Sequence, residues 1–207
     1  ARAQHDKHNT ARALAWLGGL PLMTGEKDFT AAQSAFEESK GLFQEVGDEW
    51  GYSFAIMIQA TSFCGQKDWA TALSLSQQAL RGFQKLGHLY LQSITHRHVG
   101  VAYMNLNDWT HSKAALRESL ILAQQLNSKN DIAQVLFRFG EVAQRLNQPV
   151  RVVHLLWAFG NISDSIGMPS TAEDDLWFEN QLAPCRAVPS ESEFAKAVEQ
   201  GRTMTME

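Results

Sequence analysis

The sequence lacks the features that typify membrane, disulfide-stabilised and nucleic-acid-binding proteins. Its 207 residues include two cysteines, Cys64 and Cys185, so a disulfide framework is not indicated and a reducing compartment such as the cytoplasm fits. No apolar run reaches the roughly 18 residues that a membrane helix needs. The net charge of −4 supplies neither a basic surface for nucleic acid nor a polybasic anchor for lipid. We therefore expect no direct nucleic-acid contact and no membrane association.

Signatures of catalysis and of cofactor binding are also missing. The sequence contains no phosphate-binding loop of the form G-x-x-x-x-G-K-[ST]. His96 and His98 stand two positions apart, and on a helix their side chains would point roughly 200° apart, which disfavours a shared metal ion. Cys64 has no base beside it and is interpreted as a small core or groove residue, whereas Cys185 is expected to be more exposed. We predict no catalytic residue, no metal, no cofactor and no enzyme activity.

What the sequence does contain is a repeat of forty residues. Three acidic–aromatic pairs recur at that spacing, namely Asp28-Phe29, Asp68-Trp69 and Asp108-Trp109. Small residues and terminating residues keep the same register: Ala32, Ala72 and Ser112; Ser39, Ala79 and Ser119; Gly47, Gly87 and Asn127. A fourth, degraded copy has Pro149 at the aromatic position and Ile166-Gly167 at its end.

Each repeat predicts two helices joined by tight turns. The aspartate is a helix N-cap, the following aromatic is expected as a buried wedge between helices, and the glycine or asparagine ends the second helix in a left-handed conformation. Pro149 suits a helix start. Helix A is expected over about 10–24, 49–65, 89–105 and 130–146, and helix B over about 28–46, 68–86, 108–126 and 149–166. Gly18-Gly19 and Pro21 predict a kink or irregular turn in the first helix.

The predicted hairpins cover about 8–47, 48–87, 88–127 and 128–167, which assigns residues 1–167 to four repeats. Residues 168–207 are expected to form C-terminal capping helices. Capping boxes from Ser170 to Glu173 and from Ser190 to Glu193 support them. The second box would open a short helix that ends at Gly201.

Part of this pattern resembles the tetratricopeptide signature. The features are a small residue in helix A (Ala60, Gly100 and Gly140), an aromatic at the start of helix B, and a small residue three positions later. The usual tetratricopeptide period is about 34 residues, so the longer period indicates longer helices. The resemblance implies an all-α fold, a right-handed superhelical stack of antiparallel helix hairpins, tetratricopeptide-like with a period of 40.

Other segments resemble the helical C-terminal region of bacterial STAND-type ATPase regulators, including LuxR-type and SARP-type transcription regulators. These segments are Phe36 to Ser39, Leu42 to Asp48, Leu116 to Leu120, Leu155 to Ala158, Gly167 to Pro169 and Phe194 to Arg202. The resemblance implies a scaffold or sensor arm of a signalling protein whose nucleotide-binding and output domains lie upstream. We therefore expect the sequence to be a fragment.

In such a stack, helix A residues line the concave face, and the repeat register projects the inward positions. The candidate partner-binding residues are Phe54, Met57 and Thr61 in repeat 2, Ile94, Arg97, Val101 and Met104 in repeat 3, and Gln134, Phe137, Glu141 and Gln144 in repeat 4. This mixture of apolar and polar side chains is typical of peptide and small-ligand grooves. Arg97 could hold a carboxylate. An ordinary surface without a dedicated ligand is an equally open interpretation.

The expected partner is a protein or peptide, with upstream domains of the same polypeptide and self-association included. A small-molecule or peptide sensor is the alternative function, and an enzyme is a remote one. Among the tryptophans, Trp50 is expected to be partly exposed because it follows a turn. The others, Trp16, Trp69, Trp109, Trp157 and Trp177, occur in apolar helical contexts, and most of them are expected in the core.

Overall fold

The computed structural model describes residues 2–24, 29–167, 172–186 and 190–203. Helices are the only regular secondary structure in those ranges, which confirms the all-helical prediction. The helices are α1 (Arg2–Thr24), α2 (Thr30–Glu45), α3 (Glu49–Gly65), α4 (Trp69–Lys85), α5 (Leu89–Asn105), α6 (Trp109–Gln125), α7 (Lys129–Arg145), α8 (Pro149–Ser165), α9 (Ala172–Arg186) and α10 (Glu191–Arg202). The chain forms two compact units, residues 1–115 and 116–207, and the boundary falls inside α6.

The helix bounds follow the predictions closely. Helices α3 and α5 begin and end at the predicted residues, and α7 is shifted by one position. The largest difference is in α1, which begins at Arg2 and continues through Pro21 to Thr24. The irregular turn expected there does not occur, whereas the alternative, a kink within the helix, stays a prediction.

Three-residue turns join consecutive helices from α2 to α8, and they recur every twenty residues. The middle residue of each turn has a positive φ. These residues are Gly47, Lys67, Gly87, Asn107, Asn127 and Asn147, and Gly167 follows in the same register. In the first turn the N–H of Gly47 donates to the carbonyl of Gln44, and the N–H of Asp48 donates to that of Phe43 at 2.9 Å. This pair of bonds is the Schellman arrangement, and it confirms the predicted left-handed helix ends.

The last residue of each turn also opens the next helix. Asp68 accepts a hydrogen bond from the N–H of Thr71, and Asp108 accepts one from the N–H of His111. Both predicted N-caps are confirmed, and Asp28 lies outside the described residues. The hydroxyl and N–H of Thr71 lower the pKa of Asp68. The N–H and ring of His111 lower the pKa of Asp108, because both donors stabilise the ionised carboxylate.

The buried positions of helix B differ from those expected. Phe29, Trp69 and Trp109 share one setting, but each ring is only half-buried, so the prediction of fully buried wedges is wrong. Phe29 is the N-cap residue of α2, and Trp69 and Trp109 are the first residues of their helices, so all three rings lie at a helix end, where fewer neighbours surround them. The fully buried residues stand three, seven, ten and fourteen positions later. They are Ala32, Phe36, Ser39 and Phe43 in α2, and Ala72, Ser76, Ala79 and Phe83 in α4.

In the second unit, α10 packs closely on α8. A Cβ at Gly201 would lie 2.7 Å from the Cβ of Trp157 and 2.8 Å from the carbonyl oxygen of His154. Ser190 and Glu193 form the predicted capping box, and α10 ends at Arg202, one residue beyond the prediction. The other expected box, at Ser170, lies outside the described residues.

Both cysteines are free thiols. Cys185 is 5 % exposed and belongs to a core cluster with Leu182 and Ala197. The expectation that it would be exposed is therefore wrong, because α9 turns this face towards α8 and α10. Burial raises the pKa of the Cys185 thiol, which disfavours the reactive thiolate. Cys64 is half-buried.

The turn geometry predicts opposite effects of substitution at two equivalent positions. Replacing Lys67 by glycine should raise the free energy of unfolding by about 1 kcal/mol, because glycine adopts its positive φ without steric strain. Gly87→Ala should lower it by a similar amount. Urea melts of both variants and the parent measure these changes. Equal midpoints for all three proteins would contradict the assignment of these turns.

The burial pattern predicts which aromatic of α4 stabilises the fold. Phe83 is 0 % exposed, so Phe83→Ala should cost about 3–5 kcal/mol. Trp69 is half-buried, and Trp69→Ala should cost clearly less despite its larger ring. Denaturant melts of the two variants compare them directly, and a larger loss at Trp69 would show that the burial pattern is wrong.

Candidate interaction surface

A chain of aromatic rings crosses the helix A surface of the first unit. Trp16 of α1 contacts Phe54 of α3, with ring centroids 5.7 Å apart. Phe54 stacks on Trp50 at 5.1 Å with the rings 7° from parallel. Trp50 in turn lies 6.4 Å from the ring of His88, in the turn before α5. We call Trp16, Phe54, Trp50 and His88 the aromatic strip.

The strip is held in place yet open to solvent. Trp16 is 57 % exposed and Trp50 is 38 % exposed, so Trp16 is not one of the core tryptophans. Trp50 is partly exposed, as expected. In α5, Tyr90 takes the repeat position that Trp50 takes in α3, and it is 46 % exposed. Contiguous exposed apolar surface of this kind typically marks an interaction site.

Few carboxylates accompany the strip. Helix α5 contains no acidic residue, and the one acidic residue of α3 is Glu49. Glu49 pairs with Lys85 of α4 at 2.7 Å. Arg12 is exposed and stands one helical turn before Trp16, on the same face. The strip is therefore apolar with a cationic flank, which favours neutral or acidic partners.

In repeat 2, two of the three candidate residues remain accessible. Phe54 is half-buried and belongs to the aromatic strip, and Thr61 is half-buried. The Thr61 hydroxyl donates to the carbonyl of Met57 at 3.1 Å. Met57 is 5 % exposed and packs in a core cluster with Phe83 and Leu91. Its assignment as a partner-binding residue is therefore corrected, because its side chain fills the space between helices.

Repeat 3 gives a similar result. Ile94, Arg97 and Val101 are half-buried in α5, as a recognition surface requires. Ile94 also packs against the core cluster that contains Met57. Met104 is 2 % exposed, so it is a core residue and its assignment to the surface is wrong. A long flexible side chain at that position reaches inward to fill the gap between helices.

The candidate residues of repeat 4 belong to the second unit. Gln134, Phe137 and Glu141 are half-buried, and Gln144 is exposed. The Phe137 ring contacts the Phe159 ring at 5.4 Å, and the guanidinium of Arg138 lies 4.9 Å from its centroid.

Arg138, which sequence reasoning missed, orders this part of α7. Its Nη1 donates to Glu141 at 2.8 Å. Phe137 therefore contacts Phe159, and Glu141 pairs with Arg138, both within the second unit. In the aromatic strip, by contrast, the Trp16 and Trp50 rings are exposed to solvent.

Three strip residues were not among the predicted site residues. Trp50 stands four positions before Phe54, and this helical spacing could have revealed it. His88 replaces the aspartate found at other turn positions, such as Asp48 and Asp68. Trp16 gave no clear signal, because the first repeat departs from the register of the others.

The described residues carry neither a metal centre nor a membrane span that can be recognised. No three histidine, cysteine, aspartate or glutamate side chains among them are grouped to hold a metal ion. Among the helices in the described ranges, none has the length and apolarity needed to cross a membrane.

Comparison with known proteins gives a fold but no family. No protein-family model matches the chain, and no curated protein matches it either. Among solved structures, the crystal structure of BtubC (BKLC) from P. vanneervenii is similar, with a TM-score of 0.72 and 15 % sequence identity. The match covers 97 % of this chain and 87 % of that chain. At this identity the likeness shows the helical fold alone.

The exposure of the strip predicts that its tryptophans contribute less to folding than core aromatics do. Trp16→Ala and Trp50→Ala should each lower the free energy of unfolding by clearly less than replacement of a fully buried aromatic, because Trp16 is 57 % and Trp50 38 % exposed. Urea melts followed by circular dichroism measure this, with Phe43→Ala as the buried control. Losses as large as that of the control would mean that the strip belongs to the core.

Proposed function

We propose that this chain is a protein-interaction module that binds a segment of a partner protein along the aromatic strip. The observation that carries the proposal is the stacked and solvent-exposed set of Trp16, Phe54, Trp50 and His88. Rings that already order one another lose little conformational freedom on binding. Large aromatic side chains also supply most of the binding energy in many protein interfaces.

The shape and charge of the strip indicate which kind of partner segment would fit it. The rings come from α1, α3 and the start of α5, so a bound segment would cross several helices of the first unit. Apolar side chains of the segment would pack against Trp50 and Phe54. Carboxylates of the segment would be favoured near Arg12, and near Arg97 on α5, because an arginine fork suits a carboxylate.

The wider role that we propose is that of a scaffold or sensor arm in a bacterial STAND-type ATPase regulator, with a tetratricopeptide-like superhelix and a cytoplasmic location. The forty-residue register and the segments at Leu42 to Asp48 and Phe194 to Arg202 support this role. The partner segment would come from another protein, from upstream domains of the same polypeptide or from a second copy. The chain itself would have no catalytic activity.

Selection from a peptide display library tests the strip. The parent protein should enrich peptides that combine aromatic or aliphatic anchors with acidic residues. A Trp16→Ser, Trp50→Ser double variant should bind those peptides at least about tenfold more weakly, because it loses two large exposed rings. Fluorescence polarisation with synthetic copies of the enriched peptides measures the affinities.

The matched control is a Leu86→Ser, Leu106→Ser double variant. These two leucines are exposed to a similar extent as Trp50, at 40 % and 43 %, but lie in turns outside the strip. Their replacement should leave peptide affinity unchanged. Absence of enrichment by the parent protein, or equal losses in both double variants, would count against the aromatic strip as the binding surface.

A further inference from the structure

A cleft of about 480 Å³ opens in the first unit between α2, α3 and α4. The cleft is open to solvent, and the accessible part of its lining is more apolar than polar. Phe43 and Ile56 lie beneath this lining and are each 1 % exposed. Tyr52 and Gln78 also line it, and the Gln78 amide donates to the Tyr52 hydroxyl at 3.4 Å. The helical period of α3 places this cleft on the side away from Phe54 and the aromatic strip.

Gly82 is the unusual residue in the lining. The equivalent positions of the other repeats carry Leu42, Leu122 and Ile162, each at least half-buried. Here the side chain is missing, and a Cβ would lie 2.0 Å from the hydroxyl of Ser53. Glycine within a helix costs about 1 kcal/mol relative to alanine. The missing side chain therefore lets Ser53 of α3 approach α4 closely, and no aliphatic side chain from this position projects into the cleft.

The mouth of the cleft carries one charge of each sign. Glu49 Oε1 and Lys85 Nζ lie 2.7 Å apart, with side chains 57 % and 70 % exposed. An ion pair this exposed contributes little stability. Glu49 and Lys85 can therefore each give up the other and bind a charged group of a ligand. The next repeat has Leu89 and Gln125 at the equivalent positions. The repeat architecture therefore does not require charges here.

We propose that this cleft binds a small zwitterion with an apolar body, such as a free α-amino acid with a large apolar side chain. The ligand ammonium would pair with Glu49 and its carboxylate with Lys85, replacing the ion pair between them. Its side chain would lie along the apolar part of the lining, beside the half-buried Tyr52. The Tyr52 hydroxyl would supply a further hydrogen bond to the ligand. This site is separate from the aromatic strip and does not depend on the proposed function.

Titration of the chain with L-phenylalanine and L-leucine, followed by NMR shifts of the backbone amides, tests the proposal. We expect saturable shifts at residues that line the cleft. N-acetyl-phenylalanine amide, which has the same side chain but neither charge, should bind at least about tenfold more weakly. A Glu49→Gln, Lys85→Met double variant should lose affinity for L-phenylalanine to the same extent.

A Lys7→Met, Glu45→Gln double variant is the matched control. That pair also joins two helices at 2.7 Å and is similarly exposed, but neither residue lines the cleft. It should bind L-phenylalanine as the parent does. No saturable shift up to the solubility limit of either amino acid would overturn the proposal. Equal binding of the uncharged analogue, or equal binding by the Glu49/Lys85 variant, would overturn it as well.

Discussion

Five of the six turns between α2 and α8 end in a residue that serves two helices, and the sixth ends in Gln148, which makes no side-chain cap. In the first turn the N–H of Asp48 closes α2 by donating to Phe43, and its carboxylate opens α3 by accepting from Gly51 at 2.8 Å. This double use is possible because the preceding residue, Gly47, adopts a positive φ of 72°. The six helices from α3 to α8 all have 17 residues. Equal lengths between turns of the same backbone geometry keep the buried positions of successive repeats equivalent.

The helices could be predicted from the sequence because their start and stop signals are local. Caps and left-handed residues act through their own backbone neighbours, so a single sequence displays them. Lys67 gave no such signal, since lysine rarely adopts a positive φ, yet it has a φ of 62° and makes the same turn hydrogen bonds as Gly47. The burial of Met57 and Met104 depends on residues from other helices. The periodicity of one helix does not show which of its positions are buried by residues of other helices, so it could not predict that Met57 and Met104 are buried.

The surface properties of the first unit arise where repeats differ. Residues shared between repeats, such as Phe43 and Phe83, build the core and the turns. The aromatic strip and the cleft use residues that are not repeated, including Trp50 and Gly82. A substitution at an exposed position such as Trp50 changes the local surface without disturbing the backbone pattern, whereas a side chain at Gly82 would meet Ser53. One helical scaffold can therefore carry two chemically distinct surfaces, the aromatic strip and the cleft with its paired charges, on opposite sides of α3.

The shared turn residue also constrains how this chain can vary in length. One added or deleted residue in a turn would rotate the following helix by about 100° relative to its neighbours. Its apolar stripe would then face solvent, and the buried serines and alanines of α4 would lose their contacts. Viable length changes should therefore come as whole helical hairpins. Variation inside a hairpin would be confined to exchanging side chains, which makes the outer surface the part of the molecule free to diversify.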